Sequence, residues 1–202
     1  MSAQPFDGAR TRIVRRANDA FLSHGFSDLT MSQLAEMCGL TRRALYHHFS
    51  SKEDVFRAAI RINNVLAFEE GDTAARAALA QGSDALDVIF HWLDARFGNV
   101  RRNIAASPFG RELNETAFRV ASDIMIEVSH ETNRRLAELI TDLCARGLLT
   151  LRPGATAEKT GRLIGDGARG VNQARPPIPG GQISLYYRDI AEAILFGCAF
   201  KP

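Results

Sequence analysis

Between Thr30 and Glu53 the string TMSQLAEMCGLTRRALYHHFSSKE packs three helix starts into one short run, and that spacing constrains the fold more than any other feature. Thr30-Met31-Ser32-Gln33 reads as a T-x-x-Q capping box, in which each side chain satisfies the other residue's free amide. The helix it opens turns Leu34, Ala35 and Cys38 inward and ends at Gly39. Leu40 follows, and Thr41 caps a second short helix, Arg42–Phe49. Ser50-Ser51-Lys52-Glu53 then reads as an S-x-x-E box that launches a longer helix. Two short helices joined by Gly39-Leu40-Thr41, with glycine where the chain must turn sharply, form a helix-turn-helix.

The helical period continues on both sides. Upstream, Ala9–His24 places Ile13, Ala17, Ala20 and Phe21 on one face. Gly25 suits the left-handed closing position, and Phe26 can fold back on Phe21. Downstream, the helix carrying Val55, Phe56, Ala59, Ile60 and Ile62 is expected to reach Ala80, with a break near Gly71. Ser83 is expected to cap a helix through Phe97. A short helix and connection fill 99–113, and a long helix runs from Glu115 to Arg146, where Gly147 stops it. Its stripe of Phe118, Ala121, Met125, Val128, Leu136, Leu139 and Leu143 is interrupted at Thr132. Thr156 caps a helix to Ala174, and the last helix covers Ile183–Phe200. β-Branched residues do not cluster into strands, so the fold class is all-α: a compact amino-terminal unit of three helices, then a larger helical bundle.

Composition narrows the function classes. The 202 residues are 46% hydrophobic and 24% charged, which excludes a disordered or collagen-like chain. No stretch nears the roughly 18 apolar residues of a membrane span. The opening MSAQPFDGARTRIVRR has charge but no apolar run, so the expectation is a chain that is not exported, works in the cytoplasm and does not bind membranes. Cys38, Cys144 and Cys198 lie far apart without a CxxC pair, which argues against a disulfide scaffold or zinc finger. Cys144, lone in an apolar stripe, reads as core, with a redox role as the less favoured alternative. His47 and His48 are adjacent and point about 100° apart, so they do not share a metal as an i, i+4 pair does. No metal or cofactor is expected. No GxxxxGK, HExxH or GxSxG occurs, and the glycine-rich stretch 161–170 lies inside a helical pattern. An enzyme is therefore the weaker class. The charge is uneven: residues 1–65 hold nine basic against six acidic side chains, although the whole chain is only +2.

A second helix of this kind fits a major groove about 12 Å wide when its opposite face is held by a small core. Leu34, Leu45, Phe49 and Val55 supply that core, and Arg42, Arg43, Ala44, Tyr46 and His47 are left outward. Arg42 and Arg43 have the chemistry for guanine O6/N7 or a phosphate, Ala44 for a thymine methyl, and Tyr46, His47 and Lys52 for phosphates. The capped starts at Thr30 and Thr41 add backbone amides for the same use. A bare pair of helices is more often an ordinary corner in an enzyme or bundle. The order Thr30, Leu34-Ala35, Gly39-Leu40-Thr41, Leu45-Tyr46, Phe49 and Lys52-Glu53, preceded by Ala20-Phe21 and Gly25-Phe26, closely resembles the DNA-binding signature of the TetR family of bacterial transcriptional regulators. The resemblance covers residues 10–65. It divides the chain into a DNA-binding domain, 1–50, and a helical regulatory and dimerisation domain, 51–202. It implies a homodimer on a palindromic double-stranded operator, repression, and release by a small-molecule effector. Arg42-Arg43 stands where small residues are common in that family, so no operator sequence follows from it.

The last two helices place small residues among apolar ones, notably Leu163, Gly167, Gly170 and Val171, then Tyr186, Ile190, Ile194 and Gly197. Glycines at 165, 167 and 170 each cost about 1 kcal/mol of helix propensity, which a closely approaching helix offsets. These stripes also serve the subunit's own core. With the resemblance, they are expected to form a four-helix dimer interface. His91, Trp92, Arg96, Phe118, Ser122, Met125, Ser129 and His130 mix aromatic, sulfur and polar groups in the manner of an effector pocket for a lipophilic or aromatic molecule. Core aromatics beside solvated polar positions would give the same pattern. The alternatives are a small helical enzyme, or a ligand-binding or adaptor protein without DNA; neither accounts for the donor-rich face at 42–47.

Overall fold

A computed structural model describes residues 8–200, with side chains as far as Gly197. Residues 1–7, part of the stretch behind the expectation about export, and 201–202 lie outside the described residues. The helices are α1 (Gly8–His24), α2 (Met31–Met37), α3 (Arg42–His48), α4 (Lys52–Ala80), α5 (Ala85–Leu93), α6 (Asn99–Ala106), α7 (Gly110–Val120), α8 (Ser122–Ala145), α9 (Ala157–Asn172) and α10 (Ile183–Cys198). A π-helical turn, Asp94–Gly98, joins α5 to α6. The described strands are two-residue pieces, β1 (Thr150–Leu151) and β2 (Ala199–Phe200), paired antiparallel. The fold is all-α in substance.

The chain packs as two units. One takes residues up to Val65 with Asn103–Met125; the other takes Leu66–Arg102 with residues from Ile126 onward. These differ from the division at 50/51, which follows the motif rather than the packing. In the first unit, α1 buries Ile13, Val14, Ala17, Ala20 and Phe21. Phe21, Phe26 and Phe56 form an aromatic cluster with ring centroids 5.1–5.8 Å apart. Gly25 has φ +77° and closes α1 as its position requires. In the second unit, Trp92, Leu93, Leu136, Ile140, Leu143, Ile164, Ala168, Tyr187 and Leu195 make the core.

Four boundaries differ from the sequence reading, each for a local reason. α4 does not break at Gly71: a Cβ there would lie 3.2 Å from the Trp92 carbonyl oxygen and from Arg96 Cβ, so the glycine admits the neighbouring helix. α5 is capped by Asp84, not Ser83, its carboxylate accepting from the Asp87 amide. It ends at Leu93, where the π-turn begins, instead of reaching Phe97. The long helix expected over 115–146 is two helices, with Ala121 between them at φ −137°, ψ 29°. The Val120 carbonyl there accepts from Arg57 Nη1 at 2.7 Å, and the same guanidinium donates to both Asp123 carboxylate oxygens. Thr132, read as a polar gap, is buried, and its hydroxyl donates to the Val128 carbonyl at 2.8 Å.

Candidate nucleic-acid interface

Helices of seven residues do not hold themselves in water; α2 and α3 are held at their ends and by one buried face. At α2 the expected box is complete: the Gln33 amide donates to Thr30 Oγ1, and the Thr30 amide donates to Gln33 Oε1 at 2.9 Å. At α3 the Ala44 amide donates to Thr41 Oγ1 at 3.1 Å. Between them Gly39 takes φ +70°, and Arg16 Nη1 caps the end of α2 through the Cys38 carbonyl at 2.8 Å. Leu34, Leu45, Phe49 and Val55 are at most 1% exposed and form the supporting core. The box before α4 is shifted by one residue. α4 starts at Lys52, so Ser51 is the cap and accepts from the Asp54 amide at 3.1 Å. Asp54 returns the bond to the Ser50 amide at 3.0 Å, and Glu53 has no part in it.

The opposite face of α3 meets solvent. Arg42, Arg43, Tyr46 and His47 are exposed, and Ala44 is half-buried among them. The Arg42 guanidinium lies 5.4 Å from the Tyr46 ring centroid. No ion pair among the described residues engages Arg42 or Arg43. Lys52 stands apart. Its Nζ donates to the carbonyls of Phe26 (2.6 Å), Ser27 (3.2 Å) and Leu29 (2.5 Å) and lies 4.5 Å from the Phe26 ring. The ammonium assigned above to a phosphate is thus engaged by the α1–α2 corner.

The sequence profile described as "Bacterial regulatory proteins, tetR family" matches residues 13–59, spanning all of this geometry from α1 into α4. Residues 13–59 are thus similar to the amino-terminal region of the TetR family. The HTH-type transcriptional regulator SrpR of Pseudomonas putida is 37% identical over 59 residues, 29% of this chain and 28% of that protein. The match thus spans little more than a quarter of the curated relative. Two solved structures extend the likeness in fold. A transcriptional regulator from Cytophaga hutchinsonii has a TM-score of 0.76 at 17% identity, covering 95% of this chain and 99% of that one. FadR from Thermus thermophilus, a TetR-family repressor in complex with lauroyl-CoA, has 0.58 at 20% identity, covering 93% and 94%.

The other expected site residues belong to both units of the fold. Trp92 and Arg96 are buried, at 1% and 3% exposure. The Arg96 guanidinium sits 4.1 Å from the Phe68 ring centroid and 4.7 Å from that of Phe97. Burial, with Arg135 nearby, lowers its pKa to about 9. His91, in the same unit, is exposed, with its ring 5.1 Å from that of Phe90 and tilted against it. Of the α7–α8 group, Phe118, Ser122 and His130 are exposed, and Met125 and Ser129 are half-buried. Phe118, Ser122 and Met125 belong to the first unit, the others to the second. A cavity of about 420 Å³ in the second unit is lined by Trp92 together with Asp72, Arg76, Leu79, Arg134, Arg135 and Glu138. Of the expected pocket residues, Trp92 alone lines it. Its polar lining comes from two helices, Asp72 and Arg76 on α4 and Arg134, Arg135 and Glu138 on α8, none of which the sequence reading singled out.

The small-residue stripes need a partial correction. A Cβ on Gly161 would meet Ala137 N at 2.7 Å, one on Gly165 Asn133 Oδ1 at 2.4 Å, and one on Gly167 Ile190 Cγ2 at 2.5 Å. The close helix approach at 165 and 167 is therefore made inside the subunit. Gly170 and Gly197 have open space, and Tyr186 is 43% exposed. Leu163, Val171, Ile190 and Ile194 are half-buried. Leu185, 61% exposed, was missed. Gly165, Gly167 and Gly170 also carry G-x-G-x-x-G spacing, but inside α9 rather than at a strand-to-helix turn, where it cradles no phosphate. Burial raises the pKa of both Cys38 and Cys144, the opposite of a reactive thiol.

Proposed function

We propose that this chain is a ligand-responsive transcriptional regulator, a repressor that binds a palindromic operator as a homodimer and releases it on binding a small lipophilic or aromatic effector. The supporting observation is the outward face of α3: Arg42, Arg43, Tyr46 and His47, exposed and held by a capped helix-turn-helix. Arg42 and Arg43 on the first turn reach base edges; Tyr46, His47 and the amides at Thr30 and Thr41 take phosphates and set register. Lys52 acts by holding the corner before α2.

Dimerisation uses what α9 and α10 leave uncovered, Gly170, Val171, Tyr186 and Gly197, with Leu163, Gly167, Ile190 and Ile194 behind them. Twofold pairing places two copies of α3 about 34–36 Å apart, one turn of DNA. An effector that moves them off that spacing must prefer the released form by roughly 5.5 kcal/mol to reverse a 99:1 occupancy. The lauroyl-CoA held by the Thermus thermophilus FadR supports a lipophilic effector here, with Trp92 and Arg96 as the buried apolar and cationic contacts. No helix among the described residues is long and apolar enough to cross a membrane, consistent with work in the cytoplasm. The test is selection of genomic DNA fragments by the purified protein: enrichment of fragments with twofold-related half-sites is expected, and no enrichment over bulk DNA overturns the reading.

A further inference from the structure

The polypeptide between α1 and α2 is held by two oppositely charged side chains from distant parts of the sequence. Lys52, opening α4, takes the carbonyls of Phe26, Ser27 and Leu29. Glu112, in the first turn of α7, takes the amides: Phe26 N donates to its Oε1 at 3.2 Å and Ser27 N at 2.7 Å. The contact is close enough to dictate a residue type. A Cβ on Gly25 would lie 2.4 Å from Glu112 Oε2 and 2.8 Å from the Phe109 ring. The same segment fixes α1 a second time, through Ser107 Oγ donating to the Leu22 carbonyl at 2.6 Å. The Ser27 side chain, those amides and Lys52 all favour the Glu112 carboxylate, whose pKa is lowered.

Leu29 is followed directly by Thr30, the cap of α2, so the direction in which α2 sets out, and with it α3, is fixed where this corner is fixed. The corner has unpaired donors and acceptors that neither adjoining helix satisfies; Glu112 and Lys52 satisfy the two kinds separately. We infer that Glu112 is a positioning residue for DNA binding: it holds the α1–α2 corner, and thereby the reading helix, in the orientation that fits the groove, without touching DNA. The inference rests on the function proposed above.

The test compares Glu112→Ala, Glu112→Gln and, as a control on the same helix, Glu115→Ala, which removes only an exposed pair with Arg111. Amide hydrogen exchange at Phe26 and Ser27 is measured without DNA. Affinity is measured by titration against the tightest duplex recovered when the wild type selects from random double-stranded DNA, with the active fraction counted by stoichiometric titration. Glu112→Ala is expected to speed exchange at both amides and to weaken binding about tenfold, the equivalent of one charge-assisted hydrogen bond. Glu112→Gln, which keeps an acceptor, recovers part of both losses, and Glu115→Ala changes neither. A merely structural defect lowers the active fraction and leaves the affinity of the active molecules unchanged, and that result overturns the positioning role. So does equal affinity of Glu112→Ala and wild type. If the wild type itself enriches no duplex, the DNA-binding function falls and the positioning role with it, whatever the exchange rates show.

Discussion

Gly25 and Gly39 both sit at positive φ, +77° and +70°, in the same packing unit, and replacing each by alanine separates backbone strain from steric conflict. The left-handed conformation costs an L-residue roughly 1–2 kcal/mol, and both variants carry that cost. At Gly39 the new Cβ meets Arg16 Nη1 at 2.8 Å, the far end of a flexible, exposed side chain that can swing away, exchanging its bond to the Cys38 carbonyl for water. At Gly25 it meets the Glu112 carboxylate, which is anchored by two amides, and the rigid ring of Phe109. Overpacking of that kind adds about 1–3 kcal/mol. Gly39→Ala is therefore expected to lose about 1–2 kcal/mol and Gly25→Ala about 2–5 kcal/mol. Hydrogen exchange at the buried amides of Val14 and Ala59, on α1 and α4, reads the opening free energy of this unit. Equal losses in the two variants would refute the close packing of α7 against the α1 corner.

Three further outcomes follow from single contacts. Thr41→Ala removes the one side-chain cap of α3 and is expected to cost about 1 kcal/mol, with Thr41→Ser restoring it in denaturant titration. Lys52→Met keeps the apolar stem but leaves the carbonyls of Phe26, Ser27 and Leu29 without their donor; amides at 26–29 should exchange faster while those of α9 do not change. Arg134 and then Arg135 hold the Glu131 pKa down to about 2. Its contribution to stability is complete above the ordinary carboxylate range near 4.3 and is lost as pH falls from there through about 2. Glu131→Gln should therefore show a shallower loss of stability between pH 5 and pH 2, and a curve parallel to the wild type contradicts the assignment.

Local signals carried the amino-terminal unit. The box at Thr30, the cap at Thr41, the turn at Gly39 and the Phe21–Phe26 contact depend on residues within a few positions of one another, so their chemistry is written in order along the chain. Where the deciding partner is remote, the reading failed. The break at Ala121 is set by Arg57, whose Nη1 donates to the Val120 carbonyl from 63 residues away. The continuity of α4 at Gly71 depends on Trp92 and Arg96. Glycines at 165 and 167 announce close helix approach, but nothing in a stripe of small residues says which helix approaches, and here it is α8 and α10 of the same chain. The expected pocket residues were grouped by chemical variety alone, and they fall in both units. At the candidate DNA face the outward set was legible because a short helix with one buried stripe has only one other side. At Lys52 the position fits a phosphate contact as well as a corner clamp, and the carbonyls it holds belong to residues 23–26 positions away.

The central claim is that the exposed side of α3 reads DNA. Arg43→Ala and Tyr46→Ala change exposed side chains, so both variants should remain folded and keep the oligomeric state of the wild type. In a mobility-shift titration against the promoter region of the protein's own gene, with oligomeric state checked by sedimentation, both are expected to lose the shifted complex. If both variants bind that DNA as tightly as the wild type, α3 is not the reading helix and the account is contradicted.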